Sequence, residues 1–178
     1  MTTTRIVAGV VGMMVAVWAA GASAQAPSQT GWVSLFDGKT ISHWRGFTQT
    51  NVPDGWQVVD GSITRVGAGT DLVSTEQYDN FEFEFKWKVP PGGNSGVMFR
   101  VGEDLERTYH TGPEYQILDD AKHADGKNPL TSAGSNYALH APGKPMAKPV
   151  GEWNQGRLLV NGSHVEHWLN GVKVVEYE

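Results

Sequence analysis

Apolar and charged residues alternate without a slip from Phe81 to Val89. A strand sends successive side chains to opposite faces, so Phe81, Phe83, Phe85, Trp87 and Val89 share one face and Glu82, Glu84, Lys86 and Lys88 the other. A helix would scatter the aromatic rings around its circumference, so the pattern predicts a strand. Four aromatic rings on one face require a second layer to cover them, hence a packed sheet. The charged face has two readings: a carboxylate pair on a sugar-binding surface, or an ordinary solvated strand face continued by Lys86 and Lys88.

The same reading applied along the chain predicts about ten short strands separated by turn signals. Trp32 to Phe36 ends in Asp37-Gly38, and Ile41 to Phe47 reads as irregular. Trp56 to Val59 and Ser62 to Arg65 flank Asp60-Gly61, a two-residue hairpin signal. Asp71 to Ser74 is a short strand, and Pro90-Pro91-Gly92-Gly93 stops the aromatic one. Asn94 to Val101 and Glu114 to Asp119 alternate again, with Val97, Phe99, Tyr115 and Ile117 on core faces and Asn94, Met98, Arg100, Glu114 and Gln116 opposite. Lys122 to Ser135 and Ala141 to Val150 read as loops on either side of a short strand at Tyr137 to Leu139. The end is a meander turning at Asn161-Gly162 and Asn170-Gly171, where Asn-Gly suits a type I′ turn. No amphipathic helix is predicted. The fold class is all-β, a sandwich.

The first 24 residues are set apart. Arg5 precedes an almost wholly apolar run from Ile6 to Ala20, and Ala22-Ser23-Ala24 has the small-residue spacing of a cleavage site. We therefore expect a signal peptide over residues 1–24, a linker over 25–31 and one domain over 32–178, placed in the periplasm or outside the cell. The chain has no cysteine, which excludes disulfides, thiol catalysis and a lipidated N-terminus. Without Arg5 the 14 basic residues fall to 13 against 19 acidic ones, a formal charge of −6. With no basic run, nucleic acid and anionic membranes are not expected partners.

Five motifs then converge. They are Leu35-Phe36-Asp37-Gly38-Lys39-Thr40 with His43-Trp44, Asn94 to Arg100, Gly112 to Asp119, Gly151-Glu152-Trp153-Asn154, and His167 to Gly171. In this order they resemble the 3-keto-disaccharide hydrolase domain family, from Trp32 to Glu178. The resemblance implies a concanavalin A-like jelly-roll β-sandwich of two antiparallel sheets, in exported proteins acting on carbohydrate derivatives. It also implies strands beyond the one matching Lys173 to Tyr177. The chain is therefore expected to be C-terminally truncated at Glu178, with an open sheet edge.

The residues that could carry chemistry follow from the face pattern and these motifs. Asn94, Arg100, Glu114 and Gln116 would present a carboxylate, a guanidinium and two amides on one outer face, groups that bond sugar hydroxyls and stabilise an oxyanion. The plainer reading is an Arg100–Glu114 salt bridge. His110 and His123 flank Glu114 in loops, where neutral imidazole is a usable base. His110 and Glu114 have the i, i+4 spacing of metal ligands, but Gly112-Pro113 argues against the helix that spacing needs, so no metal ligand is assigned. Asp119 is either a substrate contact or a turn cap, and Trp153 either a sugar platform or a core anchor. Glu82 and Glu84 could form a retaining pair, but they lie outside the motifs.

The expected activity is cleavage of a 3-keto-glycoside. A ketone at C3 acidifies the C2 proton; its removal gives an enolate that expels the glycosidic oxygen from C1, and water then adds. Such a site needs a base, an oxyanion partner and an acid for the leaving group. His110 or Glu114 is the candidate base, Arg100 the oxyanion partner, and His123 or Asp119 the leaving-group acid. Asn94, Gln116 and Trp153 would bind substrate. No cofactor is required, a divalent metal is compatible, and oligomeric state stays open. The competing class is a non-catalytic carbohydrate-binding module.

Overall fold

The computed structural model describes residues 4–8 and 31–178. Apart from residues 4–8, the expected leader, its cleavage site and nearly all of the linker lie outside the described residues. Twelve strands are formed among the described residues: β1 Thr4–Ala8, β2 Trp32–Ser34, β3 Trp44–Gly46, β4 Trp56–Val59, β5 Ser62–Arg65, β6 Leu72–Ser74, β7 Phe81–Trp87, β8 Asn94–Met98, β9 Glu114–Leu118, β10 Asn154–Asn161, β11 His164–Leu169 and β12 Val172–Tyr177. Among the described residues, helix is confined to three short 3-10 turns, Thr108–His110, Ala124–Lys127 and Pro129–Thr131.

One sheet runs in the order β12-β11-β10-β7-β1-β2. Pairs β3–β6, β4–β5 and β8–β9 form two-stranded antiparallel sheets. All neighbours in the large sheet are antiparallel except β1, which runs parallel to both β2 and β7. β7 is the centre, as its alternation predicts: Phe81, Phe83, Phe85 and Trp87 are all buried. The β8–β9 pair covers that face. The Tyr115 ring meets Phe85 edge-on, with centroids 5.3 Å apart, and its hydroxyl donates to the Trp168 carbonyl at 3.0 Å. Phe85 also lies over Gly156, its cross-strand neighbour on β10, where a Cβ would overlap the ring.

The opposite face of β7 is not the solvated one that its charges suggest. Glu82 is buried and paired with Arg157, whose guanidinium lies over the Trp168 ring at 5.0 Å. The pair joins β7 to its neighbour β10, so Glu82 is accounted for as an ion pair within the sheet. Trp44, expected in irregular chain, lies in the short strand β3, its indole donating to the Leu35 carbonyl at 2.8 Å. Conversely, Tyr137 to Leu139 makes no strand of its own. Beside it, Asn136 forms isolated bridges to Tyr115 and His140.

The turn signals hold with one shift. Asp60-Gly61 and Asn170-Gly171 both have positive φ at each central residue, as type I′ requires. Between β10 and β11, Asn161 pairs with His164, so the two loop residues are Gly162 and Ser163, and only Gly162 has positive φ. Asn161 belongs to the strand.

Candidate active site

The outer face of β8–β9 is built around Glu114. It opens β9 opposite Met98, and the backbone on its other side is taken by Tyr137, whose N–H donates to the Glu114 carbonyl at 2.9 Å. Its carboxyl lies across Gly96 of β8, and a Cβ there would overlap Oε1. The glycine is thus a seat for the carboxyl. No hydrogen bond or ion pair within the described residues compensates this carboxyl. Burial, followed by the neighbouring carboxylates of Asp71 and Asp125, raises its pKa to about 7. Raised that far above the ordinary carboxylate range, it is suited both to take and to give a proton near neutral pH.

Beside it the loop after β9 delivers a histidine–carboxylate pair. His123 Nδ1 accepts the Asp125 N–H at 3.2 Å, which leaves the proton of the neutral ring on Nε2. Nε2 lies 3.5 Å from Asn94 Nδ2, itself a donor, so in that tautomer the approach is not a hydrogen bond. The Asp125 carboxylate lies 3.7 Å from His123 Nδ1 and accepts from Tyr137 Oη at 3.3 Å and Asn94 Nδ2 at 3.5 Å. Burial, then the charges of Asp125 and Glu114, raise the Tyr137 hydroxyl pKa. These loop residues are held by short 3-10 turns in which His123 and Asn128 cap the first N–H groups.

Asp71 reaches the site from a separate sheet. It stands just before β6, and its Oδ2 accepts from the Thr108 hydroxyl at 2.6 Å. The loop carrying Thr108 is pinned in turn. Glu103 accepts two bonds from Arg45 of β3, at 2.7 and 2.8 Å, and one from the Thr48 N–H. Arg45, then Thr48, hold the Glu103 pKa down to about 2.

The expected site residues divide between places. Glu114, Asn94 and His123 fall on the one face. Arg100 leaves it: at positive φ, its guanidinium donates to the Gly162 carbonyl at the β10–β11 turn, not to Glu114. His110 is exposed on its 3-10 turn, with its ring edge-on to Tyr109 at 4.9 Å. Gln116 is buried, its amide bonded to the Thr131 carbonyl and the Ile117 N–H beneath the covering loop. Asp119 caps a turn, accepting from the Gly92 N–H at 2.7 Å and the Ala121 N–H at 3.1 Å; the Gly92 bond leads in lowering its pKa. Trp153 holds the Lys88 ammonium over its ring at 4.8 Å.

A cleft of about 490 Å³ lies at the Leu118 end of β9, lined by Trp87, Leu118, Asp119, Lys122, Val150 and Asn154, and includes neither Glu114 nor His123. A substrate reached by Glu114 therefore lies outside that cleft. For a cation, His164, Glu166 and Glu176 bring donor atoms within 4.8 Å of one another on the final hairpin. Lys173 already pairs with both carboxylates, at 3.2 and 2.7 Å, so the cluster is accounted for as an ion-pair network.

Sequence reasoning missed Asp71, Thr108 and Tyr137, and left Asp125 evenly divided between a site residue and an ordinary residue of the 122–135 loop. No local pattern marks them: the fold brings them to Glu114 from distant segments.

The comparisons agree with this architecture. A candidate glycosyl hydrolase of Parabacteroides distasonis superposes with a TM-score of 0.75 at 37% identity, covering 81% of this chain and 70% of that one. A second from the same organism gives 0.59 at 29%, covering 75% and 71%. A 3-keto-disaccharide hydrolase of Bacteroides thetaiotaomicron is 37% identical over an alignment of 169 residues, covering 83% of this chain. The chain spans 58% of that relative's length. The profile of the 3-keto-alpha-glucoside-1,2-lyase-like domain matches residues 31–178, and the chain belongs to that family.

Proposed function

We propose that the domain cleaves the glycosidic bond of a 3-keto-glycoside by elimination and hydration, with Glu114 moving the proton. The carrying observation is a half-buried carboxyl seated over Gly96, with no compensating partner among the described residues, beside His123 and Asp125. In this reading Glu114 takes the proton from C2, which the C3 ketone makes acidic. The electron pair of that C–H bond forms the C1–C2 double bond as the C1–O bond breaks. The departing oxygen receives a proton from Nε2 of His123 in its imidazolium form, which the Asp125 carboxylate 3.7 Å from Nδ1 stabilises, and the water that adds later returns a proton to the ring. Water then adds to C1 as a proton returns to C2, so the net change is hydrolysis. Asn94 and Tyr137 lie where they would bond sugar hydroxyls. The neighbouring carboxylates of Asp71 and Asp125 favour a neutral sugar over an anionic one.

The relative from Bacteroides thetaiotaomicron supports the substrate class, and the Arg5, apolar and Ala22-Ser23-Ala24 pattern supports action outside the cytoplasm. Glu114→Gln should lower turnover of a 3-keto-disaccharide by about 10²–10⁴-fold while circular dichroism stays unchanged. Wild-type turnover by that variant overturns the assignment. Glycan binding by the wild type without turnover would make the domain a lectin.

A further inference from the structure

Arg100 turns away from Glu114, so the role of meeting negative charge on the substrate passes to another group. The reaction makes such charge. While Glu114 takes the C2 proton, the C–H electron pair spreads onto the C3 ketone oxygen; it is withdrawn as the C1–O bond breaks and the carbonyl re-forms. A donor placed at that oxygen lowers the barrier. Among the described side chains of this face, His123 Nε2, Asn94 Nδ2 and Tyr137 Oη can donate. His123 serves the departing oxygen.

Tyr137 is tied to the base by the fold. Its N–H donates to the Glu114 carbonyl at 2.9 Å, so the two residues lie side by side. A tight loop fixes it there: the Asn136 N–H donates to the His140 carbonyl at 3.0 Å and the His140 N–H to the Asn136 carbonyl at 2.9 Å. Ala138, at φ 60°, donates its N–H to the Leu130 carbonyl at 2.8 Å. The phenol crosses to Asp125 and donates to Oδ2 at 3.3 Å, the oxygen that also accepts from Asn94 Nδ2 at 3.5 Å. The hydroxyl therefore stands by Asn94, while the Glu114 carboxyl lies over Gly96, two residues along the same face of β8. Two strand steps are about 7 Å, a span that one sugar ring can bridge with C2 at the carboxyl and its C3 oxygen at the hydroxyl. Both bonds to Asp125 are long, so the phenol turns to a better acceptor at small cost. A phenol is also a far stronger acid than an amide, hence the better donor to a developing oxyanion.

We propose that Tyr137 is a catalytic residue whose hydroxyl donates to the C3 carbonyl oxygen of the substrate and stabilises the charge that forms on it. Tyr137 keeps its proton throughout; only the hydrogen bond strengthens.

This proposal rests on the elimination reading, and its test keeps the two apart. A 3-keto-disaccharide labelled with ¹³C at C3 is bound to Glu114→Gln, and its carbonyl is followed by infrared absorption and ¹³C NMR. Adding Tyr137→Phe should raise the stretching frequency and move the C3 resonance upfield, and adding Asn94→Ala should displace both less. In the wild-type background Tyr137→Phe should lower kcat by about 10²–10³-fold and change KM by less than about threefold, with circular dichroism unchanged. An unmoved carbonyl signal in the Tyr137→Phe protein overturns the proposal, as does a raised KM at constant kcat or a larger displacement from Asn94→Ala. Wild-type protein without turnover overturns the elimination, while the carbonyl signal still decides whether Tyr137 holds the C3 oxygen. Failure of Glu114→Gln to bind the keto sugar overturns both.

Discussion

At Gly96 the absence of one carbon decides where a carboxyl can lie. The Glu114 side chain crosses the space a Cβ would fill, and it can swing away at little cost because it is flexible. Gly96→Ala should therefore change stability by less than about 1 kcal/mol yet lower activity by about 10²-fold, a split read by denaturant midpoint against kcat/KM. Two buried titrations act on stability with opposite signs. Glu114 is raised to about 7 in the folded state, so the native protein holds the extra proton and stability falls as pH climbs from about 4.5 to 7. Burial lowers His167 to about 4, so the unfolded chain holds the extra proton and stability rises between about pH 4 and 6.5. Wild type should show a nearly flat stability profile across pH 4.5–6.5. Glu114→Gln, which mimics the protonated acid, should match wild type at pH 4, rise through that window, and exceed it by roughly 1–3 kcal/mol at pH 8. Urea denaturation at four pH values checks the crossing, and parallel curves would refute it.

Among the elements, β7 carries the fold and was readable because period two over seven residues admits no other structure. The hairpins were readable where Gly or Asn must take positive φ. Three-residue strands such as β3 carry no period and were not. Sequence placed Glu82 on a solvated face because it cannot show that Arg157 and Trp168 of the neighbouring strands cover it. In the same way Glu114, Asn94 and His123 were readable from strand alternation and flanking loops, whereas Asp71 and Tyr137 join them only through topology. Between β7 and β10, the Phe85 ring fills the space that a Cβ on Gly156 would take. Gly156→Ala should cost about 1–3 kcal/mol by overpacking, and Phe85→Ala about 3–5 kcal/mol by leaving a void, both measurable as shifts in denaturant midpoint. Because Phe85 no longer blocks the Cβ, the double variant should lose less than the sum, a coupling that additive losses would exclude.

For the molecule as a whole, the six-stranded sheet is continuous only because β1 stands between β2 and β7. A chain consisting of residues 25–178 lacks that strand, and the β2 and β7 edges that faced it lose their hydrogen-bond partners. Hydrogen exchange should then be faster in β2 and β7 than in the full chain while β10–β12 keep their protection; unchanged β7 protection would mean another segment fills the gap. The position of β1 also bears on timing. If residues 1–24 guide export, the same five residues are wanted by two processes, and whichever engages them first excludes the other. A sheet that closes early would hide its own address from the translocation machinery. In that case, slow pairing of this parallel strand, which needs contacts far apart in the chain, would leave the five residues free for the first process before the sheet closes on them.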